Sequence, residues 1–364
     1  GPATNAWGQQ LPPDAAPASE QVLTLPCQEG KDLDVAGSFY ESAKSCGAVI
    51  LWERLVMLDE NFNVVPGVAT SWEVDTAALT MTFQIRQGVT FHDGADLDAH
   101  DVVACFQAYI DAEKAPEWES VAALDDYTVQ VKVIRYTNIT LTGMAGFLIF
   151  NPDNIETKGL DWVRANPVGT GPFKFVEYER DSRLVFERND NYWDPELPYL
   201  DGLEFIVIAD DTVRKLAFQR GDLHSLRAAG IDAQELQAQG YTVNTQTGGT
   251  LVLIPDSANA DSPLSDTRVR EAVSYAIDRD ALVTGLGFGF TNPAYSLFPG
   301  WEYGEIDNVK VNEYNPDKAR QLLADAGYPN GFSTTIHTFT RIVPREYINA
   351  IAAIPITPGG LGTR

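Results

Sequence analysis

The spacing of apolar residues switches repeatedly along this chain, and that switching restricts the fold more than any other feature. Leu79 to Arg86 alternates strictly, with Met81, Phe83 and Ile85 on one face and Thr82, Gln84 and Arg86 on the other. A half-buried strand is predicted there, closed by Gly88. Beyond it the period becomes helical. Asp98 is placed to cap a helix, Asp101 complements its positive end, and Val102, Val103, Phe106, Tyr109 and Ile110 share one face. Period two returns at Tyr127 to Val133.

The same mixture continues on both sides. Gln21 to Pro26 reads as a strand, and Ser42 to Leu58, with Val49, Ile50, Leu51, Leu55 and Val56, as a buried helix. Leu184 to Arg188 and Leu203 to Ile208 read as strands, the second apolar on both faces and therefore central in a sheet. Asp211 or Thr212 caps a short helix carrying Val213, Leu216 and Ala217, which Gly221 ends. Leu251 to Ile254 reads as a short apolar strand. Asp266 caps a helix with Val269, Ala272, Val273, Ala276 and Ile277 on one stripe. Another helix starts with Asn315 as cap and Pro316 at its first position, and stops at Gly327. Strand and helix do not alternate steadily, so the expectation is an α/β architecture with mixed sheets.

At 364 residues the chain exceeds one compact core, given about 150 residues per domain. With 44% apolar and 21% charged residues it has enough material for several cores. A net charge of -25 opposes nucleic acid and anionic membrane as partners, since both are repelled before contact. No run of about 18 apolar residues occurs to span a bilayer. Gly1-Pro2 reads as a scar of tag removal, and the Pro/Ala/Asp-rich stretch through Ser19 as a flexible tether left after a signal or lipid anchor was trimmed. Of three cysteines, Cys27 and Cys46 lie close enough in sequence to close a disulfide loop, whereas Cys105 falls on the apolar helix face. The histidines His92, His100, His224 and His337 are scattered and there is no Cys-x-x-Cys pair, so no metal and no cofactor is expected.

Several segments carry a family likeness. Leu51-Trp52-Glu53-Arg54-Leu55-Val56 runs on through Leu58-Asp59-Glu60, and Val65-Pro66-Gly67-Val68-Ala69 and Ser71-Trp72-Glu73 follow. Next come Gly88-Val89-Thr90-Phe91-His92-Asp93-Gly94 and Asp101-Val102-Val103. Then come Val168-Gly169-Thr170-Gly171-Pro172-Phe173 and Asn189-Asp190-Asn191-Tyr192-Trp193. Last are Asp266-Thr267-Arg268-Val269-Arg270-Glu271-Ala272 and Ser274-Tyr275-Ala276-Ile277-Asp278-Arg279. In this order the segments resemble bacterial extracellular solute-binding protein family 5, the oligopeptide/dipeptide/nickel class.

The resemblance implies a two-lobed periplasmic-binding-protein-like fold of class II type, with an inserted subdomain in lobe I. The implied division is a tether over 1–20, lobe I over 21–48 and 168–249, the inserted subdomain over 49–167, lobe II over 250–340 and an atypical tail over 341–364. Lobe II is expected to be incomplete, because only Thr334 to Arg364 follows where the family continues at length. Implied too is the substrate-binding component of an ABC importer, periplasmic or extracellular and monomeric, either free or tethered by lipid. It captures a peptide or other small polar solute and delivers it to a membrane permease. A nickel or metal-chelate carrier of the same family is the alternative, and a sensing or adhesion module without transport is the alternative of another class.

Ligand-binding candidates follow from the same likeness. The loop after the first strand gives Ser38, Phe39 and Tyr40, where an aromatic ring and a hydroxyl suit stacking, or packing on the lobe itself. Gly169, Thr170 and Gly171 lack the lysine and spacing of a phosphate loop; their glycines admit close backbone approach, either near a cleft or in a structural turn. Thr250, Leu251 and Val252 form the crossing strand, able to offer backbone groups to an extended ligand. Tyr295 and Trp301 are aromatics that face either ligand or surface. Phe91-His92-Asp93-Gly94 reads as a tight turn. There is no Gly-x-Ser-x-Gly elbow and no His-Glu-x-x-His helix, so the chain is not expected to be an enzyme.

Overall fold

A computed structural model of the chain describes residues 21–27, 48–59, 61–245, 249–295, 312–338 and 345–354. It divides into two compact units, Gly1–Arg227 and Ala228–Arg364.

The first unit is built on two sheets. One is mixed and four-stranded, in the order β1-β10-β9-β8, with β1 Val22–Cys27, β8 Phe173–Glu179, β9 Arg183–Arg188 and β10 Gly202–Val207. Its strand β1 runs parallel to β10, and the remaining pairs are antiparallel. The apolar stretch around Leu203 is thus an interior strand, as its two-faced character requires. The chain leaves this sheet after Cys27 and returns to it at Phe173.

Between those points lies a fully antiparallel sheet, β4-β5-β7-β6, formed by β4 Ala69–Asp75, β5 Thr80–Ile85, β6 Trp118–Asp125 and β7 Thr128–Val133. A ribbon of β2 Val56–Leu58 and β3 Val64–Pro66 precedes it. Met81, Phe83 and Ile85 of β5 are buried as their alternation demands, while Gln84 is exposed. The helix Ala99–Asp111 opens on a capping box: Asp98 accepts from the amides of His100 and Asp101, and the Asp101 carboxylate accepts from the Asp98 amide at 2.9 Å. Its residues Val102, Cys105, Phe106 and Tyr109 are buried. One continuous core joins both sheets, from Trp52, Met81 and Phe83 to Phe173, Phe186 and Leu203. Cys27 is disulfide-bonded and Cys105 is a buried free thiol; Cys46 lies outside the described residues.

Three local expectations are corrected. The helix expected over Ser42 to Leu58 is confined, among the described residues, to Ala48–Leu51, and Val56–Leu58 is a strand. The reason is where the carbonyls go. Leu51 O accepts from Gly171 N, Glu53 O from Ile149 N, Arg54 O from Val68 N and Leu55 O from Ala69 N, so the acceptors a continuing helix would use internally serve distant segments. The helix Asp211–Arg220 is capped by Asp210 and not by Asp211 or Thr212, and of the expected Val213, Leu216 and Ala217 only Ala217 is buried, beside Arg214, while Val213 and Leu216 are 52% and 55% exposed. Arg214 is drawn inward because it donates to Ile208 O at 2.7 Å. Finally, Leu251 to Ile254 forms no strand, and all four residues are exposed. The described residues of the second unit contain no strand to serve as its ladder partner.

The regular secondary structure described in that second unit is helical. Thr267–Ala276 and Pro316–Asp325 pack through Val269, Ala272, Ala276, Ala319 and Leu323. Both helices begin as their sequences indicate, with Asp266 accepting from Arg268 N and Asn315 from Lys318 N. Gly327, at φ +91°, follows the second of them.

Candidate functional site

Four segments that are far apart in sequence meet in the first unit around the turn Val168 to Pro172. At its base the turn lies against the Ala48–Leu51 helix. Gly171 N donates to Leu51 O at 3.0 Å, and the buried Trp52 donates through Nε1 to Val168 O at 3.0 Å. A Cβ on Gly169 would stand 2.0 Å from Leu51 O, and one on Gly171 2.3 Å from Ile50 O. Backbone touches backbone here, and no side chain fits.

From the other side the turn is held by His92. The His92 amide donates to Gly169 O at 2.8 Å, Gly169 N donates to Nδ1 at 3.2 Å, and Nε2 lies 2.9 Å from Gly171 O. Because Nδ1 accepts, Nε2 carries the hydrogen and donates. Burial holds the imidazole pKa down at about 4, with the Lys174 charge adding to the effect and the Gly171 carbonyl and Asp93 opposing it. The Phe91-His92-Asp93-Gly94 segment is itself a tight turn: Gly94 sits at φ +91° and donates to Phe91 O, and Asp93 accepts from Ala95 N. The other oxygen of Asp93 accepts from the amides of Asn151 and Asn154, at 3.2 and 2.7 Å.

A buried carboxylate forms the third side. Glu53 is 6% exposed, and its Oε1 accepts from Tyr192 Oη at 2.7 Å and from Trp193 Nε1 at 2.8 Å. The Thr170 hydroxyl and Glu53 Oε2 are buried without a hydrogen-bond partner among the described residues, and the Arg86 guanidinium, stacked 3.8 Å from the Trp193 ring centroid, supplies a nearby positive charge. Burial raises the Glu53 pKa against the Tyr192 and Trp193 hydrogen bonds and the Arg86 charge. The buried Asn189 completes the circle by donating from Nδ2 to Gly171 O and from its amide to Pro172 O.

The cluster is a structural junction with closed backbone geometry. Gly169, Thr170 and Gly171 are brought together in it and are buried, Thr170 to 1% exposure. Thr250, Leu251 and Val252 lie in the second unit, Thr250 half-buried and the other two exposed. Tyr295, also in the second unit, is half-buried with the Arg279 guanidinium 5.2 Å from its ring centroid. Ser38, Phe39, Tyr40 and Trp301 lie outside the described residues. Glu53 and Arg86 were not singled out from the sequence as site residues. The available signal was a carboxylate directly after the apolar run Ile50-Leu51-Trp52, which has to find buried donors or remain outside a core. Among the described residues no group of three or more His, Cys, Asp or Glu side chains could hold a metal ion, and no helix is long and apolar enough to cross a membrane.

The fold is similar to that of solved periplasmic binding proteins. The chain resembles the ABC transporter-associated periplasmic binding protein DppA of Helicobacter pylori, solved with the peptide STSA, with a TM-score of 0.75 and 25% identity over 94% of this chain and 73% of that one. It shares the fold of NikA from Brucella suis, with a TM-score of 0.79 and 21% identity over 95% of this chain and 74% of the other.

The family model described as "Bacterial extracellular solute-binding proteins, family 5 Middle" matches residues 63–353, and the chain belongs to that family. Among curated relatives, the dipeptide-binding protein of Escherichia coli K12 is 30% identical over 91% of this chain and 68% of its own length. The heme-binding protein A of Haemophilus influenzae is 30% identical over 78% of this chain, a match spanning 58% of that protein.

Proposed function

We propose that the protein is the solute-capturing component of an ABC importer, binding a peptide or another small polar solute and delivering it to a membrane permease. The observation that carries this reading is the family match over residues 63–353, together with the 30% identity to a dipeptide-binding protein along 91% of the chain. The likeness in fold to a binding protein solved with a peptide supports the same ligand class. Solute-binding families act by capture, so the protein is not an enzyme, and it works outside the cytoplasmic membrane as a monomer, tethered by a lipid anchor or free. Gly169, Thr170 and Gly171 then serve the binding lobe by holding its frame, while Ser38, Phe39, Tyr40, Thr250, Leu251, Val252, Tyr295 and Trp301 are the ligand-facing candidates.

Native mass spectrometry of the purified protein, followed by calorimetric titration with dipeptides, tripeptides, glutathione, heme and nickel–histidine, tests the reading. Retention of a peptide mass or saturable peptide binding supports it. A retained metal chelate would replace the peptide with the metal cargo, and turnover of any of these compounds would overturn capture as the function.

A further inference from the structure

His92 holds the Gly169–Gly171 turn in one protonation state only. Gly169 N–H points at Nδ1 from 3.2 Å, so Nδ1 must present a lone pair, and Nε2, 2.9 Å from Gly171 O, must present the hydrogen. An imidazolium carries a hydrogen on both nitrogens. Protonation therefore sets a donor at Nδ1 against the donor at Gly169, and the ring has little room to retreat, because its own amide is tied to Gly169 O at 2.8 Å.

The charged groups around the ring are few. Asp93, on the same turn, favours the imidazolium, but one of its oxygens is occupied by the amides of Asn151 and Asn154. Lys174, on β8, disfavours it, and is itself paired with Glu187 at 3.2 Å. Beyond the turn stands the buried Glu53, with Arg86 as its positive neighbour. None of these replaces the acceptor that Gly169 loses.

We propose that His92 is an acid-sensitive clasp, whose protonation frees the Gly169–Gly171 turn from the Phe91–Gly94 turn while the two sheets of the first unit stay folded. The turn is the point where β8 begins and where the chain returns from the inserted sheet, so its release loosens the seam between the sheets without unpairing either.

Amide hydrogen exchange resolved by NMR, corrected for the intrinsic exchange rate at each pH, tests the clasp. With the ring titrating at about 4 when clasped and about 6.5 when released, protection of the Gly169 amide falls about 60-fold between pH 7 and pH 4.5. Protection of the Val133 amide, bonded to Leu79 O at 2.9 Å within the buried antiparallel sheet, stays constant. In His92→Gln the carboxamide offers one acceptor and one donor but does not titrate, so Gly169 protection becomes independent of pH. A wild-type Gly169 amide whose protection is flat, an equal fall at Val133, or the same decline in His92→Gln would each overturn the proposal. Should the variant not fold, the wild-type comparison of the two amides decides alone.

Discussion

Replacing Gly169 with alanine adds one methyl group at the tightest backbone contact of the first unit. The new Cβ would lie 2.0 Å from Leu51 O and 2.7 Å from Trp52 Cδ1, far inside van der Waals contact, and the atoms it meets are a carbonyl and an indole fixed in the core. The two segments must move apart. That separation breaks the Gly171 N to Leu51 O and Trp52 Nε1 to Val168 O hydrogen bonds, worth about 1 kcal/mol each. Overpacking strain adds about 1–3 kcal/mol, for a total loss of about 3–5 kcal/mol. Gly143 is the control: a Cβ there meets nothing within 4 Å, its φ is −62°, and alanine is expected to be neutral or to stabilise by about 0.5–1 kcal/mol. Equilibrium urea unfolding of the three proteins, compared by midpoint and slope, reads both effects. A Gly169→Ala variant within about 1 kcal/mol of wild type, or a Gly143→Ala variant as damaged as Gly169→Ala, would refute the argument that close approach demands glycine at 169.

Other consequences of the structure are open to direct measurement. The Glu53 pKa is raised on folding, so the folded state binds this proton more tightly than the unfolded state, and the stability gained at low pH is lost as pH rises above the ordinary carboxylate range. Wild type should therefore lose stability relative to Glu53→Gln as pH is raised from 4 to 8, and parallel stability curves would contradict that sign. Asp98→Ala removes the acceptor for the His100 and Asp101 amides and should cost about 1 kcal/mol, visible as a lower urea midpoint. The Cys105 thiol, donating to Phe150 O at 3.0 Å with its pKa pushed up by burial, should resist iodoacetamide in the native protein at pH 8 and alkylate only in urea. Labelling of the Cys105 peptide without denaturant would show that the helix Ala99–Asp111 opens readily.

What the sequence disclosed depended on whether the information was local. The strand β5 and the helices behind Asp98, Asp266 and Asn315 were legible because a strict period and a cap occupy the same few residues. Strand β6 was not legible: it lies at the edge of its sheet, and five of its eight residues are exposed, so little apolar alternation marks it. The segment after Leu51 misled because its apolar spacing suits a helix while its carbonyls are committed to residues as distant as Gly171. The junction around Glu53 shows the same limit more sharply. Its bond to Trp193 spans 140 positions, and no periodicity encodes a pairing of that range. The family likeness marked out both motifs, but their meeting at one carboxylate emerged only from the fold. At Leu251 to Ile254 the apolar composition was read correctly and the ladder inferred from it was not, since a strand exists only where an edge is available to pair with it.

The insertion between β1 and β8 also sets an order of events for a chain made from its amino end. Gln21 and Asp201 exchange hydrogen bonds across 180 positions, whereas β4 to β7 pair among neighbours within a far shorter stretch. Local pairings close quickly and distant ones slowly. During synthesis the antiparallel sheet can therefore mature while β1 has no partner, its edges open until the β10 segment emerges. Strand β1, made long before its partner, is among the last to be secured, and it is there that a nascent chain of this protein is most exposed to wrong partners.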